Sequence, residues 1–181
     1  GHLDIYMSNG FPFSYRDANL NFDFEIDTSR VFMGLGDNTF EESAQLLGLD
    51  DQNSSRTIVC ADFDNDGDID LLQLHRNQDN AVSYYRNDIA QHNWLKIQLE
   101  QASLKNKQAI GARIYVTTPN SIQMREVSIG SNFTSQTPVE QVFGLGQNME
   151  ASQVRIVWPD GSETFQQNLA TNQHLIISKS E

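Results

Sequence analysis

A nine-residue acidic loop, running from Asp62 to Asp70, is the feature that most restricts how this chain can fold. It reads Asp-Phe-Asp-Asn-Asp-Gly-Asp-Ile-Asp, and stretches typical of β-strands flank it at residues 56–61 and 69–74. Five such carboxylates repel one another by on the order of 1 to 4 kcal/mol per pair at intermediate dielectric. Nothing basic lies close by in the sequence, so we expect a divalent cation to hold the loop in shape.

The spacing of the aspartates gives each position of the loop a role. Alternate residues of a tight loop can point oxygen atoms at one centre, and calcium accepts six to eight oxygen ligands. Gly67, in the sixth position, permits the backbone to turn sharply around the ion. We predict a Ca²⁺ site with carboxylate ligands from positions one, three, five and nine and the backbone carbonyl of position seven, which are Asp62, Asp64, Asp66, Asp70 and Asp68.

Other metals suit this loop less well. Magnesium demands compact octahedral geometry and retains its waters, and zinc prefers histidine or cysteine. The four histidines show no ligand-like spacing, and we expect them at the surface: His2, His75, His92 and His174. A solvated acidic turn that binds no metal is the alternative interpretation.

The charge balance narrows the possible partners. Aspartate and glutamate number 24 against 12 lysines and arginines, which gives a net charge of −12. Nucleic-acid binding would need a basic face, so we expect no nucleic-acid partner. The apolar runs are a few residues long, well short of the roughly 18 that a membrane span requires, so we expect no membrane insertion.

The remaining pattern predicts an all-β chain with two domains. Short alternating segments recur and helical periodicity is almost absent. Residues 1–7 and 67–73 share Gly-x-apolar-Asp followed by a strand, which indicates a repeat with one full copy over residues 31–74. Asp4 then belongs to a truncated loop, where we expect no metal. Longer strands with apolar alternation begin near Asn93, at residues 94–99, 110–116 and 154–158, and a final short strand follows at 175–177. We therefore predict domains at residues 1–91 and 92–181, the second a small antiparallel β-sandwich or barrel-like unit.

Two sets of motifs resemble known families. Gly-x-Gly-Asp-Asn-Thr-Phe at residues 34–40, Gly-Leu at 48–49 and the acidic loop resemble the FG-GAP or VCBS repeat. The second half resembles the ASPIC/UnbV domain that follows such repeats in cartilage acidic protein-like proteins. Its motifs lie at residues 109–114, 130–136, 143–146, 154–161 and 172–175.

The resemblance implies partial β-propeller repeats, calcium held by the five loop aspartates, secretion or surface display, and no established catalysis. A closed propeller of that family needs about seven repeats, whereas this chain holds one full repeat and two partial ones. Sheet edges would then be open, so we expect some self-association.

We therefore expect a calcium-binding extracellular adhesion or binding module that contacts a protein or a glycan. It would be extracellular or on the cell surface, and periplasmic or on the outer surface in a bacterium. An accessory targeting domain of a larger secreted enzyme and a purely structural cap are the alternatives. We expect no catalysis by the chain itself, since it contains neither Gly-x-Ser-x-Gly nor His-Glu-x-x-His. Asn53 and Asn132 begin glycosylation sequons. We expect Trp94 to pack at the domain boundary, and a sugar-stacking face is the alternative for this residue.

Overall fold

The computed structural model describes residues 2–10, 28–76, 81–88, 92–101 and 105–179. Within these residues the strands dominate, and the one helix, α1 (Ala44–Leu47), has a single turn. The strands are β1 (Ile5–Met7), β2 (Arg30–Gly34), β3 (Phe40–Glu42), β4 (Ser55–Ala61), β5 (Asp70–His75), β6 (Val82–Tyr85), β7 (Asn93–Glu100), β8 (Arg113–Thr118), β9 (Ser121–Glu126), β10 (Gln141–Gly146), β11 (Glu150–Val157), β12 (Glu163–Ala170) and β13 (Gln173–Ser178). The all-β fold class is confirmed. The described residues include no helix that is long and apolar enough to cross a membrane.

Two three-stranded antiparallel sheets form the N-terminal half. Their strand orders are β1–β2–β3 and β4–β5–β6. The hairpin between β2 and β3 passes through Gly36 (φ 86°) and Asn38 (φ 68°), residue types that tolerate a left-handed backbone. Among the described residues these sheets remain separate and form no closed propeller.

A buried polar network joins the two small sheets. The Gln73 amide on β5 donates to Ser29 Oγ at 3.0 Å, and the Tyr6 hydroxyl on β1 donates to Gln73 Oε1 at 2.6 Å. His75 is also buried, so the expectation of a surface histidine is wrong at this position; its Nε2 lies 2.8 Å from Ser83 Oγ. Since buried polar groups are costly unless they are hydrogen-bonded, these contacts fix β1 against β5.

The C-terminal half consists of two sheets around one apolar core. Their orders are β10–β7–β13 and β12–β11–β8–β9, and every pairing is antiparallel except that of β7 with β13. Each buried large aliphatic or aromatic side chain contributes about 1.5 to 3 kcal/mol. The buried cluster comprises Leu95, Ile97, Leu99, Ala109, Ala112, Ile114, Val116, Val127, Phe143, Leu145, Ala151, Val154, Ile156, Trp158 and Ile177.

Apolar alternation predicted β7, β8, β11 and β13 but gave no indication of β9 or β12. These two strands form the outer edges of the four-stranded sheet, where apolar side chains such as Ile122 and Phe165 are more than half exposed. The segment predicted to be a strand from Ile110 becomes one only at Arg113. The positive φ of Gly111 (91°) belongs to a turn before it.

Candidate metal centre

The acidic loop connects β4 to β5, and these strands pair antiparallel up to Ala61 opposite Asp70. The chain reverses through two residues with a left-handed backbone, Asn65 (φ 64°) and Gly67 (φ 96°). Asparagine tolerates this conformation better than most residues, and glycine has no Cβ to oppose it. The hairpin therefore holds both ends of the loop at one end of a sheet.

Three carboxylates converge within the loop. Asp62, Asp64 and Asp66 each offer one oxygen, and these oxygens lie within 4.8 Å of one another. The Asp66 N–H donates to Asp62 Oδ1 at 3.1 Å, and the Asp68 N–H donates to Asp66 Oδ1 at 3.0 Å. Clustered carboxylate oxygens are the ligands that calcium prefers, so the chemistry of this group fits that ion.

The other two predicted ligands lie outside this group of three in the described structure. Asp70 is fully buried at the start of β5, where its Oδ1 accepts the Asn87 N–H at 2.8 Å. Its Oδ2 accepts the Phe63 N–H at 3.1 Å and the Tyr84 hydroxyl at 3.0 Å. Asp70 thus ties the two ends of the loop together, and the ligand roles of Asp68 and Asp70 stay predictions.

The electrostatics of the loop disfavour ionised carboxylates in the absence of a cation. Partial desolvation raises the pKa of Asp64, and the negative charges of Asp66 and Asp70 raise it further. Desolvation likewise raises the pKa of Asp68, followed by the charges of Asp66 and Asp62. A divalent cation among these groups would favour their charged forms.

A buried lysine brings positive charge to the loop from far along the chain. Lys96, on β7, is 3% exposed, and its Nζ lies 3.0 Å from both Asp62 Oδ2 and Asn65 Oδ1. Glu140 Oε1 lies 3.4 Å from the same nitrogen. No basic residue lies close to the loop in the sequence, since Lys96 is 34 positions from Asp62. In the folded chain, however, the ammonium group of Lys96 contacts the loop directly.

Trp94, which precedes Lys96 by two residues on β7, packs against the loop backbone. A Cβ placed on Gly67 would lie 2.1 Å from both Cδ1 and Nε1 of the indole. Gly67 therefore meets two requirements, a positive φ and the close approach of an aromatic ring. Trp94 packs, as predicted, and its partner is the acidic loop. The domain bounds at residues 1–91 and 92–181 stay a prediction.

Each half of the chain is similar to a known family. Residues 1–73 match the FG-GAP-like repeat family, and residues 102–181 match the family described as ASPIC and UnbV. The chain is thus similar to an FG-GAP-like repeat over its first 73 residues and to an ASPIC and UnbV domain over its last 80. The acidic loop lies in the FG-GAP-like repeat, whereas β7 lies between the two matched ranges and belongs structurally to the core of the C-terminal half.

Two curated relatives resemble almost the whole chain. Cartilage acidic protein 1 of Homo sapiens is 28% identical over 174 residues, which are 94% of this chain and 25% of the human protein. Cartilage acidic protein 1 of Mus musculus is 28% identical over 162 residues, 88% of this chain and 24% of the mouse protein. The chain thus spans about a quarter of the length of these relatives.

The C-terminal half also contacts β4 of the N-terminal half. The Asn132 side-chain amide donates to the Ile58 carbonyl at 2.7 Å, and the hydroxyls of Ser135 and Thr57 hydrogen-bond to each other. Asn132 begins one of the two sequons. Its amide nitrogen, the atom that would carry a glycan, is hydrogen-bonded to the Ile58 carbonyl in this arrangement. The C-terminal half thus contacts both β4, through these residues, and the acidic loop, through Trp94 and Lys96 of β7.

Ser55, His75 and Asp51 form a Ser–His–Asp arrangement inside the N-terminal half, where it links neighbouring segments of the fold. Ser55 Oγ lies 3.2 Å from His75 Nδ1, and His75 Nε2 lies 3.5 Å from Asp51 Oδ2. Ser55 is 3% exposed, and its hydroxyl also donates to the Asn53 carbonyl at 3.2 Å. Desolvation and a hydrogen bond to Asp51 raise the pKa of Tyr85 to about 12. The serine oxygen is enclosed and already bonded, so the arrangement does not favour nucleophilic chemistry.

Two further observations concern residues outside the predicted ligand set. Asp4 of the truncated loop accepts the Gly34 N–H at 2.8 Å, so its carboxylate connects the segment before β1 to β2. Sequence reasoning missed Lys96, Asn65 and Glu140 as residues that shape the loop. Only Asn65 carried a local signal, since asparagine before Asp-Gly is typical of a turn.

Proposed function

We propose that the chain is a calcium-binding module of an extracellular protein and that the ion has a structural role. The observation that carries this proposal is the convergence of three carboxylate oxygens, from Asp62, Asp64 and Asp66, within 4.8 Å. A loop whose ends are joined by Asp70 can keep these oxygens together while an ion binds. The extracellular assignment draws on the similarity to Cartilage acidic protein 1.

Calcium suits the loop better than other common ions. The converging atoms are all carboxylate oxygens, which are hard ligands, whereas zinc prefers nitrogen and sulfur. Two of the three aspartates are exposed, so water can complete a coordination shell. Magnesium would need a stricter octahedral arrangement than a loop with flexible, exposed side chains favours.

The ion would stiffen a surface and perform no chemistry. With free calcium at about 100 times the dissociation constant, binding would add about 2.7 kcal/mol to the free energy of unfolding. We propose that the stiffened surface meets a protein or a glycan, and that the open edges of the small sheets permit self-association. An ion that orders a loop between two paired strands fits adhesion better than catalysis.

Thermal unfolding in the presence of EDTA or calcium tests the proposal. We expect calcium to raise the melting temperature by several degrees and isothermal titration calorimetry to detect one binding event per chain. Asp66→Ala should abolish both effects because it removes a ligand from the centre of the loop. Asp37→Ala is the matched control, since it removes an exposed aspartate from the β2–β3 hairpin and should leave the calcium response intact.

Two results would refute the proposal. One is a melting curve of the parent chain that is the same in EDTA and in calcium, with no heat of binding. The other is a calcium response that survives Asp66→Ala unchanged, which would place the ion elsewhere.

A further inference from the structure

Oxygen atoms from both halves of the chain surround the ammonium group of Lys96. Its Nζ contacts four oxygens: Asp62 Oδ2 at 3.0 Å, Asn65 Oδ1 at 3.0 Å, the Asp62 carbonyl at 3.3 Å and Glu140 Oε1 at 3.4 Å. The side chains of Lys96 and Asp62 are 3% and 0% exposed. A buried carboxylate requires such a partner, because an isolated charge in the interior is costly.

The lysine and the loop use different oxygens of Asp62. Lys96 takes Oδ2, whereas Oδ1 accepts the Asp66 N–H within the loop. The ammonium therefore neutralises the buried carboxylate from the side of β7 and leaves Asp64 and Asp66 without contact to it in the described structure. One positive charge, supplied by Lys96 on β7, is thus in contact with the metal-free loop.

We propose that Lys96 is the internal counter-ion of the acidic loop: it keeps the loop folded against the C-terminal half without metal, and it lowers the calcium affinity of the loop. This inference rests on the proposed calcium site. A buried ammonium stabilises the metal-free loop and repels a dication that approaches the same carboxylate. Lys96 and calcium therefore each neutralise part of the same negative charge of the loop.

Both effects follow from one charge next to Asp62, so the proposal predicts that they appear together. Removing the charge of Lys96 should destabilise the metal-free chain and strengthen calcium binding. A residue that only oriented Asp62 as a ligand would give the opposite change, since losing such a supporting contact weakens metal binding, typically 10- to 100-fold. The sign of the affinity change thus separates the two roles.

The decisive variants differ in charge at one position. Lys96→Met removes the charge and keeps an unbranched side chain, and Lys96→Arg keeps the charge. Lys107→Met, at an exposed lysine, is the control for a change in net charge alone. Titration with CaCl₂ should show at least fivefold tighter binding for Lys96→Met, and affinities close to that of the parent for the other two.

Docking of the two halves provides a readout that does not depend on calcium affinity. The hydroxyls of Thr57 and Ser135 bond across the contact, so a Thr57→Cys/Ser135→Cys pair in a Cys60→Ala background should form a disulfide when the halves are docked. In EDTA we expect efficient cross-linking with Lys96 present. With Lys96→Met the rate in EDTA should fall at least threefold and recover in CaCl₂.

Weaker calcium binding in Lys96→Met, or unchanged melting temperature and cross-linking in EDTA, would overturn the inference. Should Lys96→Met not fold in EDTA, its affinity can be measured by displacing calcium from the folded variant with a chelator of known strength. If the parent and all variants bind no calcium, the proposed function fails, and so does the claim that Lys96 lowers the calcium affinity of the loop. A fall in the EDTA melting temperature confined to Lys96→Met would then still assign the counter-ion role.

Discussion

Replacing Gly67 by alanine would place a methyl group where the Trp94 indole already lies. The new Cβ would be 2.1 Å from Cδ1 and Nε1 and 2.3 Å from Cε2 of that ring, well inside van der Waals contact. The backbone at this position also has φ of 96°, which an alanine adopts only with strain. The substitution thus combines two separable penalties, one from the backbone and one from the ring.

Each penalty has an expected size. A non-glycine residue held in a sparsely populated region of φ/ψ costs about 1 to 3 kcal/mol. Forcing an extra methyl group into a well-packed contact costs about 1 to 3 kcal/mol more. Gly67→Ala should therefore lower the free energy of unfolding by about 2 to 6 kcal/mol, and about half of the loss should depend on Trp94.

Gly111 offers a matched control for the backbone part. Its φ of 91° is close to that of Gly67, but a Cβ at this position would meet nothing within 4 Å. Gly111→Ala should therefore cost only the strain of about 1 to 3 kcal/mol. A double-mutant cycle with Trp94→Ala isolates the ring part, because alanine at position 67 should then lose only the strain term. Urea denaturation in EDTA, followed by far-UV circular dichroism, supplies the four free energies.

Equal penalties for Gly67→Ala with and without Trp94 would refute this reasoning. It would mean that β7 does not pack on the loop as described, and the contact between the two halves would lose its aromatic component. A Gly67→Ala penalty no larger than that of Gly111→Ala would lead to the same conclusion.

Two further predictions concern polar contacts away from the loop. Gln73→Leu should lower the free energy of unfolding by about 2 to 4 kcal/mol in urea denaturation, because it leaves the half-buried Tyr6 hydroxyl and the buried Ser29 hydroxyl without this partner. A loss below about 1 kcal/mol would contradict that role. The Lys179 ammonium holds the pKa of Asp160 well below its usual range, so this pair stabilises the fold at neutral pH and the contribution is lost as the pH falls through the folded-state pKa. Lys179→Met should move that pKa towards the ordinary value of about 3.9 in an NMR titration, and an unchanged midpoint would exclude the contact.

The fold class could be predicted because its determinants are local. In the C-terminal half, alternation of period two identified β7 and β11, whose inward residues such as Ile97 and Ile156 are fully buried. The same rule failed at β12, since an edge strand buries little on either face and keeps no strong alternation. The parallel pairing of β7 with β13 depends on how distant segments meet, which alternation does not encode.

The N-terminal half shows a different limit. Its two sheets are joined by a polar network around Gln73 and His75, and the sequence indicated neither residue as buried. Hydrophobic patterning identifies apolar faces, so a contact made of amides, hydroxyls and an imidazole gives no periodic signal. Only the hydrogen-bond partners, which come from β1, β4 and β6, show why these groups can be buried.

The acidic loop separates what local sequence can establish from what it cannot. Five aspartates in nine residues favour a nearby positive charge, and their spacing around Gly67 correctly grouped three that converge, Asp62, Asp64 and Asp66, while the ligand roles of Asp68 and Asp70 stay predictions. The source of that charge does not follow from the same nine residues, because strand alternation on β7 places Lys96 opposite the core side chains without showing what covers that face. Lys96 supplies one positive charge to the loop, whereas the nine residues alone favour a metal as its source. If the loop binds calcium as proposed, its metal affinity should depend on Lys96, 34 positions from Asp62, as well as on its own aspartates.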